Sequence, residues 1–276
     1  MGGAKDYCPI LDYQHNSGPD WPIDIETKMK QTFSDMRVTI IGAGQTGQAL
    51  VRFLIDRGAE VTLSDRRQAE EIDGLSGLQG LPVRFDLGGH SLECFEQADL
   101  IAVSPGVPLD IAPLKHATQN GIPLLGEIEL AARECAAPIV AVTGTNGKST
   151  TTSLLGEIFQ HWGKQVFVGG NLGTPLVNAC ATQDWDYLVV ELSSFQLETV
   201  DQFCPQYGLL LNLSEDHLDR YPDLDSYYAA KQQLFRNMGS EQTVVLNADD
   251  QQVLQLASDV MSRRVLFSGS SLINEG

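Results

Sequence analysis

Two glycine-rich turns, each set between a short apolar run and a helix-forming stretch, constrain this chain more than any other feature. Val38-Thr-Ile-Ile41 runs into Gly42-Ala-Gly-Gln-Thr-Gly47, and a helical stretch over 48–57 then stops at Gly58. Further along, an apolar run over 139–142 enters Thr143-Gly-Thr-Asn-Gly-Lys-Ser-Thr150, followed by a helix to about residue 162. The same alternation surrounds both turns. After the first, strands are predicted over 60–63, 83–85, 100–103 and 123–125, with a helix over 127–135. After the second, strands are predicted over 166–168, 187–190, 207–211, 243–246 and 265–267, with helices over 226–238 and 249–257. These strands are apolar throughout, the pattern of parallel sheets covered by helices on both faces. The expected class is α/β: two doubly wound units in tandem.

Length supports that division, since 276 residues suffice for roughly two domains. The net charge of −18, from 18 basic and 36 acidic residues, argues against nonspecific binding to nucleic acid or to an anionic membrane. It leaves room for an anionic small ligand, which backbone N–H groups, one lysine and a metal ion can hold. Cys8, Cys94, Cys135, Cys180 and Cys204 are scattered without metal-ligand spacing, which reads as reduced thiols. With neither a signal-peptide pattern nor an apolar run of membrane-spanning length, the expected location is cytoplasmic, without membrane insertion. Residues 1–36 are polar, interrupted by Pro9, Pro19 and Pro22, and read as a loose extension with a short helix near 25–33.

Gly42, Gly44 and Gly47 form G-x-G-x-x-G between strand and helix, letting the backbone approach a pyrophosphate held by the helix N-terminus. Asp65 ends the next strand, where a ribose or base contact would fall. Taken alone the motif fits NAD, another diphosphate nucleotide, or a tight turn with no ligand. The second loop, Gly144-Thr145-Asn146-Gly147-Lys148-Ser149, departs from the strict phosphate-loop pattern, having Val142 where that pattern has glycine. Its working parts remain: backbone N–H groups for phosphate, Lys148 for the β/γ oxygens, and Ser149 or Thr150 for Mg²⁺.

Further residues fall at the carboxyl ends of the second unit's strands, where ligands bind in parallel sheets. Glu191 could complete a shell of oxygen ligands around Mg²⁺, or be a solvated strand end. His217 follows the strand over 207–211; a lone loop histidine is as readily structural. Lys231 shares one helical face with Tyr227, Leu234, Phe235 and Met238, so its ammonium sits in an apolar stripe. It needs a carboxylate, a phosphate or a charge-removing modification, unless it snorkels to the helix edge.

The segments 144–151, Gly170-Asn171-Leu-Gly173, Glu191-Leu-Ser-Ser-Phe-Gln-Leu-Glu198 and His217-Leu-Asp-Arg-Tyr-Pro222 together resemble the Mur ligases. The run over 191–198 and the first glycine loop resemble the D-glutamate-adding branch in particular. Folylpolyglutamate synthetases share a similar phosphate loop but lack such a first domain. The resemblance runs from residue 38 to the last residue. It implies a Rossmann-like UDP-substrate-binding domain over 37–130 and a central P-loop ATP-binding domain over 131–276, incomplete as the family builds it. The family's third, amino-acid-binding domain lies outside this sequence.

The resemblance also implies roles. Gly44, Gln45, Thr46, Asp65, Arg66, Ser104, Pro105 and Gly106 would surround the uridine diphosphate, and Asn171 the sugar-peptide part. The segment 144–150 would hold ATP. Ser149, Glu191, His217 and a carbamylated Lys231 would hold magnesium, with Lys148, His217 and Lys231 catalytic. The implied reaction is ATP-dependent ligation of D-glutamate to UDP-N-acetylmuramoyl-L-alanine by a monomeric enzyme, serving peptidoglycan synthesis and through it cell shape and division. Residues 1–276 alone would bind the UDP-substrate without forming the amide bond. Two other readings stand beside this: a truncated, non-catalytic nucleotide-binding protein, and an NAD-dependent oxidoreductase.

Overall fold

A computed structural model describes residues 33–181 and 184–273. The short helix expected near 25–33, and most of the loose extension, lie outside the described residues. The remainder divides into two compact units, one running to Glu134 and the other starting at Cys135.

In the first unit the order is β1 (Arg37–Ile41), α1 (Gln45–Ile55), β2 (Glu60–Asp65), β3 (Val83–Leu87), α2 (Leu92–Glu96), β4 (Leu100–Val103), α3 (Ala112–Gln119), β5 (Leu124–Gly126) and α4 (Glu127–Ala132). The five strands form one sheet in the order β3-β2-β1-β4-β5, and every pairing is parallel. Central β1 is buried from Val38 to Ile41, which is why its sequence is apolar without alternation. Ile41, Phe95, Ile101, Val103 and Leu114 form a core between sheet and helices.

α1 begins three residues earlier than the sequence suggested. Gly44 is extended (φ −70, ψ −170) and its carbonyl takes the first helical bond, from Gln48 N–H at 3.0 Å. Gln45 and Thr46 therefore lie in the first helical turn. Gly47 is fixed by close approach: a Cβ there would fall 1.8 Å from the Gly42 carbonyl oxygen. The short helices α2 and α3 were not foreseen. The link from β2 to β3 contains 3₁₀ turns at Ala69–Glu71 and Leu75–Leu78 rather than an α-helix.

The second unit runs β6 (Ile139–Thr143), α5 (Lys148–His161), β7 (Val166–Gly170), β8 (Tyr187–Glu191), α6 (Ser194–Leu197), β9 (Tyr207–Leu210), α7 (Leu224–Gln232), β10 (Thr243–Asn247), α8 (Gln251–Leu256) and β11 (Arg263–Phe267). Its six-stranded parallel sheet has the order β11-β10-β9-β6-β8-β7. Val140, Val142, Val166, Val189, Leu209 and Leu211 pack together on it. Beyond α7 the chain tightens into a 3₁₀ turn at Gln233–Phe235, where one continuous helix was expected. The expected face is nevertheless buried throughout: Tyr227, Lys231, Leu234, Phe235 and Met238.

Cys94, Cys135, Cys180 and Cys204 are free thiols. Sequence spacing hid one proximity among them, since Cys135 Sγ and Cys180 Sγ lie 3.0 Å apart. Among the described residues no helix is long and apolar enough to cross a membrane.

Candidate functional site

In the first sheet, chain order reverses between β1 and β4, and the turns after those strands meet at the carboxyl edge. Ser104 is buried; its N–H donates to Ile41 O and its hydroxyl to Gly42 O, both at 3.0 Å. Pro105 and Gly106 continue outward from it, half-buried and exposed. Gly44 and Gln45 are exposed and Thr46 half-buried, so the start of α1 is open to a ligand. A crevice at such a reversal, beside a helix N-terminus, is where α/β sheets take up phosphate-bearing ligands.

Asp65 holds this turn in place. Its Oδ2 accepts from Ala43 N–H at 2.7 Å and from Arg67 Nη2 at 2.8 Å, while Oδ1 accepts from Arg67 N–H at 2.9 Å and Nε at 3.0 Å. Burial alone would raise its pKa. The Arg67 and Ala43 hydrogen bonds and the guanidinium charge outweigh that and hold the carboxyl far below the usual range. The partner is Arg67; Arg66, expected beside the uridine diphosphate, is exposed. Arg67 follows the end of β2 by two residues, within reach of the carboxylate to which its side chain returns.

In the second sheet the phosphate loop follows central β6, between the carboxyl ends of β8 and β9. Gly144 adopts φ +152, a conformation that side chains rarely tolerate. Its carbonyl meets two lysine side chains: Lys148 Nζ donates to it at 3.0 Å and Lys231 Nζ at 2.9 Å. Lys148 also donates to Thr145 O at 2.8 Å, so its side chain lies folded over its own loop. Gly147, left-handed at φ +81, opens α5, and Ser149 and Thr150 are exposed in its first turn.

Lys231 is 1% exposed, with Nζ 4.7 Å from the centre of the Tyr227 ring. Burial, and then the charge of Lys148, bring its pKa down to about 7, against a smaller opposing pull from Asp216. Glu191, at the end of β8, is 2% exposed; Oε1 accepts from Asn171 Nδ2 at 2.7 Å and Oε2 is buried with no partner. His217 has φ +56, and its 40% exposed side chain has Nε2 3.6 Å from Asp216 Oδ2. Its ring centre is 4.9 Å from that of Phe195 and 5.7 Å from that of Tyr227, whose hydroxyl meets Thr145 Oγ1 at 3.3 Å.

The structure thus brings Lys148 and Lys231 onto one carbonyl, pairs Asn171 with Glu191, and sets His217 beside the loop through Tyr227. No hydrogen bond or ion pair joins Glu191 to His217 or Lys231 among the described residues. Sequence reasoning missed Asn212, whose side chain accepts from Asn146 N–H at 2.8 Å and donates to Asn146 O at 2.9 Å.

Among the described residues no three His, Cys, Asp or Glu side chains form a ready metal cage. Magnesium does not require one, because it takes one or two carboxylates and fills its shell with phosphate oxygens and water. The unpartnered Glu191 Oε2 and the exposed Ser149 hydroxyl fit that pattern. Lys231 as an ammonium has only donors and does not ligate a cation.

Two family models match the chain: the N-terminal domain of MurD-like Mur ligases over residues 36–126 and the Mur ligase middle domain over 142–272. A UDP-N-acetylmuramoylalanine–D-glutamate ligase of Syntrophotalea carbinolica is 53% identical over 244 residues, covering 88% of this chain and 54% of that protein. Its counterpart in Pelotomaculum thermopropionicum is 44% identical, covering 90% of this chain and 55% of that protein. The chain spans about half the length of the curated relatives it matches. Among solved structures, a UDP-N-acetylmuramate:L-alanyl-γ-D-glutamyl-meso-diaminopimelate ligase from Neisseria meningitides shares the fold at a TM-score of 0.58 and 19% identity, covering 88% of this chain and 83% of that one. With both units matched in order, and with relatives of one name across nearly nine-tenths of its length, this chain belongs to the Mur ligase family.

Proposed function

We propose that this chain carries the substrate-binding and ATP-binding parts of a cytoplasmic ligase that adds D-glutamate to UDP-N-acetylmuramoyl-L-alanine. Residues 37–130 form the UDP-substrate domain and residues 131–276 belong to the ATP-binding domain. The observation that carries the reading is the pairing of a phosphate loop with a buried, half-unpartnered carboxylate at Glu191, in a chain 53% identical to a ligase of that name. Matches to both units favour it over the oxidoreductase and non-catalytic readings.

A carboxylate is inert to amines because its oxygen is a poor leaving group. In the proposed reaction the alanyl carboxylate attacks the γ-phosphorus of ATP, the bond to the β-phosphate oxygen breaks and ADP leaves. The D-glutamate amine then attacks the acyl phosphate carbonyl, a proton is lost and phosphate departs. Lys148 neutralises the β/γ oxygens, exchanging its two loop carbonyls for phosphate. Backbone N–H groups at the start of α5 cradle the remaining charge. Magnesium, when bound, would screen the charge between nucleophile and phosphate; Glu191, Ser149 and His217 are the side chains placed to hold it. Lys231 joins them only as a carbamate. Its depressed pKa leaves a large fraction as the neutral amine that adds carbon dioxide. Asn171, fixed on Glu191, contacts the sugar-peptide part.

The test is calorimetric titration of the chain with UDP-N-acetylmuramoyl-L-alanine, followed by trapping of the acyl phosphate with ATP and magnesium present. Tight binding and an ATP-dependent trapped product are expected. A chain that binds NADH but not the UDP-substrate would overturn the reading.

A further inference from the structure

On the β2–β3 side of the first unit's cleft lies a polar cluster outside the site described so far. Ser64 is fully buried, with Oγ 2.7 Å from Asp86 Oδ2 and 2.8 Å from His90 Nδ1. Asp86 also accepts from Ser91 N–H at 3.1 Å, Ser91 Oγ at 2.8 Å and Cys94 Sγ at 3.3 Å. Burial would raise the Asp86 pKa, but these donors outweigh it and keep the carboxyl below its ordinary value.

That arrangement fixes a proton. An ionised carboxylate has none to give, so at 2.7 Å the Ser64 hydroxyl donates to Asp86. A hydroxyl carries one hydrogen, so Ser64 accepts from His90 and the imidazole proton sits on Nδ1. Nε2 then presents a lone pair. Among the described residues none bonds Nε2, and the half-buried ring is held edge-on to Phe95 with centres 6.0 Å apart. Desolvation, helped by Arg66 and opposed by Asp86 and Asp65, lowers the His90 pKa and favours this neutral form. The loop that carries His90 is tied to the cleft: Gly88 N–H donates to Arg67 O at 2.9 Å and Gly89 N–H to Asp65 O at 3.3 Å.

We propose that His90 is a specificity-determining residue of the nucleotide cleft, offering Nε2 as a fixed acceptor to a donor on the bound nucleoside. The donor is the imide N–H of the base or a ribose hydroxyl. The inference rests on the uridine reading above and deepens it, since uracil has an imide N–H where cytosine has an acceptor.

The experiment titrates the 276-residue chain with UDP-N-acetylmuramoyl-L-alanine between pH 5.5 and 8; its bridging diphosphate carries no proton that titrates there. Wild-type affinity should fall roughly tenfold as pH drops, because protonation takes the Nε2 lone pair. Of the groups facing His90, Asp65 and Asp86 stay ionised across this range, Arg66 and Arg67 are guanidinium cations, and burial pushes the Cys94 thiol up to about 11. His90→Phe should bind roughly tenfold more weakly at pH 8 and lose the pH dependence, while His90→Gln, which keeps an acceptor, should bind well without it. The cytidine and 2′-deoxyuridine counterparts of the ligand name the donor: whichever is penalised in wild type but not further in His90→Phe lacks it. A flat wild-type profile, with His90→Phe and His90→Gln binding as wild type does, overturns the role of His90 and leaves the uridine reading standing. No binding by wild type at any pH overturns both.

Discussion

The two glycine turns share a plan, strand to turn to helix at the carboxyl edge of a parallel sheet, and end in opposite electrostatic states. In the first unit the protein satisfies itself. Both Asp65 oxygens are filled by Ala43 and Arg67, and Ser104 ties the turn to β4. In the second unit two ammonium groups share one carbonyl, and a buried carboxylate oxygen has no partner. The first arrangement is a finished surface that can select a ligand by shape and hydrogen bonding. On the proposed reading the second is completed when anionic oxygens and a cation arrive, as suits a place where charge develops during a reaction. On that reading, nucleotide recognition and phosphate chemistry fall mainly to different units of one chain.

The largest effect should come from removing the cation nearest the proposed γ-phosphate. Lys148→Ala should lower the rate of acyl-phosphate formation by about 10²–10³-fold or more, the scale for losing one group aimed at transition-state charge. Affinity for the UDP-substrate should change little, because the proposed nucleotide cleft lies in the other unit and Lys148 is not among the residues proposed to touch that substrate. Parallel trapping and titration read the two quantities separately. Equal losses in both would erase the distinction between the units. The same variant removes the like charge beside Lys231, so the Lys231 pKa should move back up.

A smaller effect is thermodynamic. The Lys231 pKa falls from 10.5 to about 7 on folding. Between those values the unfolded chain holds a proton that the folded chain has released. Stability therefore rises with pH across that window, by about 1.4 kcal/mol per unit where the difference is a whole proton. Below about pH 7 both states hold the proton, and the cost of burying the cation is felt in full. Lys231→Met should flatten the slope and raise stability at pH 6, measured by urea unfolding in bicarbonate-free buffer. An unchanged slope would show that the ammonium is better solvated than its burial implies.

These contrasts explain what could be read in advance. Strand positions and the two turns were legible because uniform apolar runs and glycines at fixed offsets reflect local physics. The buried face of α7 was legible too, since helical periodicity placed Lys231 among Tyr227, Leu234 and Phe235. What could not be read is which polar group meets which. Asn212 reaches Asn146 across 66 residues of sequence. Such pairings depend on strand order, and nothing local announces that β9 lies beside β6. The unexpected start of α1 at Gln45 has a local cause, the extended Gly44 that caps it, but glycine is so permissive that its sequence signal is ambiguous.

Asn212 should give the smallest effect and the sharpest test of what makes the second site different. Its side chain closes a two-point clamp on Asn146, and its carbonyl accepts from Thr145 N–H at 3.0 Å. Replacing it with alanine removes the two side-chain bonds and leaves the backbone bond, so stability should fall by about 1 kcal/mol, as for partly exposed neutral hydrogen bonds. Asn212→Asp keeps the bond from Asn146 N–H, loses the donation to Asn146 O and adds a negative charge beside the loop. Its stability should therefore be at least that of Asn212→Ala. Its ATP affinity should be the lower of the two, because the added charge repels the polyphosphate that the lysines await. Opposite rank orders in unfolding and in ATP titration would separate loop shape from loop charge. If both measurements ranked the variants alike, added charge would not decide the second loop's behaviour, and the contrast between the two turns would fail at this position.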